Sequence, residues 1–162
     1  MAVIDVYFSL GSNIGDREGN ILNAIKKLDE LLESRHVSLS SIIETESWGF
    51  ESDKFLNCAV LYSIEADLEP KEQATKILNI CKEIEKESGR KEVIEYDSSG
   101  KRIYHSRTID IDILYYGDYQ IKTNRLTIPH PLIKERDFVL IPLREIAKEP
   151  LKNAFPDVFN FN

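Results

Sequence analysis

An α+β fold, an antiparallel sheet carrying two helices on one face, follows from three features of this sequence. Apolar residues alternate with period two in four stretches, 3–10, 37–44, 55–64 and 107–116. Two intervening stretches, from Arg17 to Ser34 and from Pro70 to Gly89, carry apolar residues at helical spacing instead. No linker or internal repeat divides the 162 residues, so residues 1–162 are expected to form one domain.

Each element has its own signal. In VIDVYFSL, Ile4, Val6, Phe8 and Leu10 share one face of a strand, and Asp5, Tyr7 and Ser9 the other. GSNIGDR reads as a turn, with Asp16 as the N-cap of the first helix. Ile21, Ala24, Ile25, Leu28, Leu31 and Leu32 form that helix's buried stripe. Val37 to Glu44 returns to alternation as a second strand, and TESWGFESDK follows as a polar loop with Trp48 exposed. The third strand places Leu56, Cys58, Val60, Tyr62 and Ile64 on its apolar side. Pro70 suits the first turn of the second helix, whose stripe is Ala74, Ile77, Leu78, Cys81 and Ile84, and Gly89 ends it. Residues 91–106 hold no period and read as a long loop or a hairpin around SSG. Arg107 to Tyr116 is the fourth strand, YQI and RLTI a short hairpin. Phe138 to Ala147 reads as a short strand or turn leading into a short helix, and the tail NAFPDVFNFN as irregular. The order β-α-β-β-α-β with C-terminal additions is the ferredoxin-like split βαβ arrangement.

Composition narrows the function classes. A net charge of −7 argues against a nucleic-acid binder that relies on overall basicity, while leaving room for a polyphosphate held by a local Arg and Lys cluster. No apolar run approaches a membrane span, and the N-terminus reads as a strand of the mature fold. Cys58 and Cys81 lie on the apolar sides of separate elements, as buried free thiols in a reducing cytosol. The expectation is a cytoplasmic, free-standing monomer.

RTIDIDIL at 107–114 carries the chemistry. Ile109, Ile111 and Ile113 share the face that packs on the helices, which leaves Asp110 and Asp112 together on the other. Aspartate is a poor strand former, and two carboxylates so close repel each other unless a cation sits between them. Mg²⁺ takes one or two carboxylates plus substrate phosphates. Close by, RLTIPHPLIKERDF supplies Arg125, Thr127, a proline-flanked His130, Lys134 and Arg136, so with Arg107 a basic patch forms on an acidic chain. The GSNIGD loop lacks the ending of a Walker-type phosphate loop and is explained by turn chemistry.

Taken together, SLGSNIGDR, FLNCAV, GR at 89–90, RTIDIDIL and RLTIPHPLIKERDFVLIPL resemble the 6-hydroxymethyl-7,8-dihydropterin pyrophosphokinases of folate biosynthesis, in the right order from about residue 3 to 147. The resemblance implies transfer of pyrophosphate from ATP to the pterin hydroxymethyl group, with two Mg²⁺ ions held by Asp110 and Asp112. It implies catalytic roles for Arg90, Arg107, Asp110 and Asp112, and ATP contacts from Lys82, Glu85, Arg107, Arg125, Thr127, His130 and Arg136. For the pterin it implies Thr45, Trp48, Phe55, Asn57, Tyr104 and Phe138. The chain departs from the family where Lys82 stands for a frequent Gln, Tyr104 for a Trp, and Glu92 near the place of a second loop arginine. Either Lys101 or Arg102 restores that charge on a loop that closes over ATP, or the stretch is a solvated hairpin and Arg90 alone suffices. Two other classes share parts of the pattern: palm-like nucleotidyltransferases or cyclases, which would release pyrophosphate, and ferredoxin-like ligand-binding modules, which would show no turnover.

Overall fold

The computed structural model of the protein describes residues 2–45, 54–89, 95–96, 98–100, 102–103 and 108–159. At its centre is β1 (Val3–Ser12), paired antiparallel with β4 (Phe55–Glu65) on one side and β7 (Asp110–Tyr116) on the other. The far side of β4 carries two short strands in succession, β2 (Ser38–Leu39) and β3 (Ile43–Thr45). The expected single strand over 37–44 is therefore broken. At the break, Ser40 Oγ accepts the Ala59 N–H at 2.8 Å while the Ser40 N–H still donates to Ala59 O at 2.9 Å, so a side chain replaces one half of the ladder pair.

Two helices, α1 (Arg17–Leu31) and α2 (Pro70–Glu87), cover one face. Val6, Phe8, Leu10, Cys58, Val60, Tyr62, Ile109, Ile111 and Ile113 meet Ile21, Ala24, Ile25, Leu28, Ala74, Ile77, Cys81 and Ile84 in one core. Leu31 departs from the expected stripe and is 42% exposed. Asp16 caps α1 by accepting the Gly19 N–H at 3.1 Å, Pro70 opens α2, and Gly89 leaves it at φ 96°. Both cysteines are buried free thiols. The sheet order and the helix placement make this an α+β, ferredoxin-like fold.

On the opposite face the C-terminal helices lie at one end. There α3 (Asp137–Ile146), α4 (Glu149–Ala154) and α5 (Pro156–Phe159) bury Tyr7, Leu61, Leu114 and Tyr115. The register of β1 with β7 shifts between Tyr7 and Phe8, which makes Leu114 the extra residue of a bulge. The bulge turns Tyr115 away from the isoleucine face and onto Phe155, ring centroids 4.9 Å apart. Two expectations are corrected here. Residues 137–146 form one helix through Pro142, with no leading strand. The tail is helical up to Phe159, because Val158 and Phe159 have a core to enter.

Two hairpins complete the described chain. β5 (Glu95–Tyr96) pairs with β6 (Arg102–Ile103), a hairpin about SSG, one of the two forms the sequence offered. β8 (Ile121–Lys122) pairs with β9 (Thr127–Ile128), which lies beside β7 and leads into a cis Ile128–Pro129 bond. Among the described residues no helix is long and apolar enough to cross a membrane.

Candidate active site

At the end of the sheet that α3 to α5 leave uncovered, the registers place Ile43, Asn57, Gly11 and Asp110 side by side across β3, β4, β1 and β7. Partners in such a row project to the same face. In the next row, Ser9 stands between Ala59 and Asp112. Gly11 thus belongs to the strand, where the sequence suggested a turn. Asn57 and Asp110 stand two strand spacings apart, about 10 Å.

The two aspartates differ in setting. Asp112 is pushed up to about 7, chiefly by burial and next by the Asp110 charge, against the opposing pull of Arg136 and Lys82. Burial and a neighbouring like charge both disfavour its ionised form. Behind the strand, Glu85 of α2 is 2% exposed; its Oε2 accepts the Ile111 N–H at 2.9 Å, and Lys82 Nζ lies 3.5 Å from its Oε1. A buried carboxylate therefore fixes the backbone between Asp110 and Asp112.

Next to β7, His130 is held by its own main chain, whose N–H donates to Leu114 O at the bulge, 3.0 Å. The Leu132 N–H donates to His130 Nδ1 at 3.2 Å, which leaves the ring proton on Nε2. Burial, and then the Arg136 guanidinium, hold this histidine below its usual range, so the ring is a neutral donor. Arg136 also stacks on Phe138, 5.6 Å from the ring centroid. Arg125 is steadied by Asn79 of α2, Nη2 to Oδ1 at 2.8 Å, and Thr127 is exposed on β9. Lys134 leaves the expected basic patch: its ammonium pairs with Asp157 of α5.

On the other side of Gly11, Asn57 is 3% exposed and donates through Nδ2 to Thr45 Oγ1 at 2.7 Å. Phe55 pairs with Thr45 across the strands and lies over Gly11. Trp48, Arg90, Tyr104 and Arg107 lie outside the described residues, as do Glu92, Lys101 and the side chain of Arg102. Two contributors were missed in the sequence. Gly11 lies just past Leu10, where the apolar alternation stops at Ser12, and nothing near Asn79 in the chain announces its contact with Arg125.

Fold and site together define an α+β protein with an acidic pair on the sheet face opposite α1 and α2, with Arg136 near it on one side and the Asn57 amide and the Phe55 ring on the other. The chain belongs to the 7,8-dihydro-6-hydroxymethylpterin-pyrophosphokinase (HPPK) family, whose model matches residues 7–148. It is thus an enzyme, a transferase of the pyrophosphokinase class. A 2-amino-4-hydroxy-6-hydroxymethyldihydropteridine pyrophosphokinase of Aquifex aeolicus is 41% identical, over 94% of this chain and 91% of its own. Those of Porphyromonas gingivalis and Bacillus subtilis are 41% and 38% identical, over 88% and 91% of this chain and 90% and 81% of their own.

Proposed function

We propose that the chain transfers the pyrophosphoryl group of ATP to the hydroxymethyl oxygen of 6-hydroxymethyl-7,8-dihydropterin and releases AMP, with two Mg²⁺ ions held by Asp110 and Asp112. The observation that carries this reading is the row Asn57–Gly11–Asp110. A flat bicyclic ligand anchored at Asn57 spans the two strand spacings and presents its hydroxymethyl arm beside the aspartates. The donor set fits the metal: two hard carboxylates, one with its pKa raised by burial and then by the charge of the other, on the face away from α1 and α2. Two carboxylates leave the remaining Mg²⁺ positions to phosphate oxygens and water. When bound there, Mg²⁺ neutralises the polyphosphate and draws electron density from the phosphorus under attack.

The protein's own residues position the reactants. Arg125, Arg136 and the Nε2–H of His130 hold phosphate oxygens, with Thr127 and Lys82 at the rim of the nucleotide site, and Arg90 and Arg107 complete the cationic set. Glu85 keeps the strand between the two aspartates in place. Phe55 and Phe138 sandwich the pterin, Asn57 and Thr45 read its edge, and Trp48 and Tyr104 are assigned to the same ligand. The hydroxymethyl oxygen then attacks the β-phosphorus of ATP. The bond from that phosphorus to the oxygen shared with the α-phosphorus breaks, AMP leaves with that oxygen, and the hydroxyl proton passes to water. No nucleophilic side chain is needed for such a transfer. The enzyme works as a cytoplasmic monomer and needs neither nucleic acid nor membrane. A coupled assay for AMP tests the proposal: AMP is expected only when ATP, Mg²⁺ and the hydroxymethylpterin are all present. ATP turnover that ignores the pterin would overturn it.

A further inference from the structure

We propose that Gly11 is a positioning residue for the pterin, because its missing side chain makes the seat in which the Asn57 amide rests. The proposal depends on the reading of Asn57 as a pterin contact. A Cβ at position 11 would stand 2.8 Å from Asn57 Oδ1 and 3.4 Å from Phe55 Cδ1. The second distance is an ordinary contact, so the Phe55 ring tolerates the methyl group. The first is closer than a carbon and an oxygen approach, so the amide must move. It has little freedom to do so. Asn57 is buried, its Nδ2 is held by Thr45 Oγ1, and its backbone is paired on both sides, with Gly11 and with Ile43. A displaced amide breaks the Thr45 bond or enters the space of the ligand. Gly11 does not need its glycine for backbone reasons: it lies inside β1, is absent from the residues with positive φ, and pairs with Asp110 on its other side. The steric demand therefore points at one side chain, and its consequence falls on the pterin and spares the nucleotide.

The test is a double-mutant cycle read by calorimetry. Gly11→Ala, Asn57→Ala and the double variant are saturated with a methylene-bridged ATP analogue and Mg²⁺, then titrated with oxidised 6-hydroxymethylpterin. Gly11→Ala is expected to weaken pterin binding by about tenfold or more and to leave nucleotide binding within about twofold. In the Asn57→Ala background the same substitution is expected to cost severalfold less, because the collision with the amide is gone and only the methyl group's own contact with the ligand remains. Unchanged pterin affinity in Gly11→Ala overturns the proposal, as does an equal loss in both backgrounds. If Asn57→Ala itself binds pterin normally, the assignment of Asn57 fails, and that arm alone reports it. Thermal unfolding accompanies each titration. A Gly11→Ala chain that unfolds while the double variant folds still locates the collision at Asn57, and unfolding in both backgrounds overturns it.

Discussion

Asp112 is where folding and chemistry pull hardest against each other. Its fold raises its pKa from 3.8 to about 7, so the folded chain holds this proton more tightly than the unfolded one. Stability from this group is then fully present below pH 3.8 and lost as pH rises toward about 7. Asn at this position carries no such charge. Metal-free Asp112→Asn is expected to match the native chain near pH 4 and to exceed it near pH 8 by on the order of 1 kcal/mol or more, measured by urea unfolding in a chelator. A difference that stays constant across this window would contradict the assignment. Catalysis is expected to run the other way. Asp110→Asn and Asp112→Asn should each lose at least about a hundredfold in kcat, about 3 kcal/mol, with the circular dichroism spectrum intact. Near-normal Mg²⁺-dependent turnover in either variant would remove that residue from the metal site.

The long elements could be read from their periods, because β1, β4, α1 and α2 each pay for their own order with one continuous apolar face. The short ones owe their form to contacts far away in the chain. Ser40 ends β2 by bonding to Ala59, and Glu145 of α3 receives both the N–H and the hydroxyl of Ser41, at 2.9 and 2.8 Å. Neither partner is visible from local spacing. In the tail, Leu151, Phe155, Val158 and Phe159 do fall at helical spacing, but Pro156 interrupts the run and splits it into α4 and α5. Those helices close the second core against Tyr115, so they matter to stability. Phe159, 8% exposed, is expected to cost about 3 kcal/mol when replaced by Ala, seen as a lower urea midpoint with an unchanged slope. A loss below about 0.5 kcal/mol would mean that the tail only decorates the surface.

At the scale of the whole molecule, the sheet is dressed unevenly, and that asymmetry makes the site. The helices α1 and α2 pack on one face, and α3 to α5 pack on one end of the other. Asp110, Gly11 and Asn57 fall at the remaining end. The acidic pair and the basic run were legible in the sequence because charges on a strand have few structural uses. Their distance from Asn57 was not, since it depends on β1 lying between β4 and β7. The removal of Lys134 to Asp157 was equally invisible, being a contact with a tail that read as irregular. The central claim is that this geometry joins a pterin hydroxyl to the β-phosphorus of ATP. Phosphorus NMR of the quenched reaction tests it most directly. The expected products are AMP and a pterin diphosphate with two coupled phosphorus signals. Free pyrophosphate beside a nucleotidyl product, or ADP beside a pterin monophosphate, would contradict it.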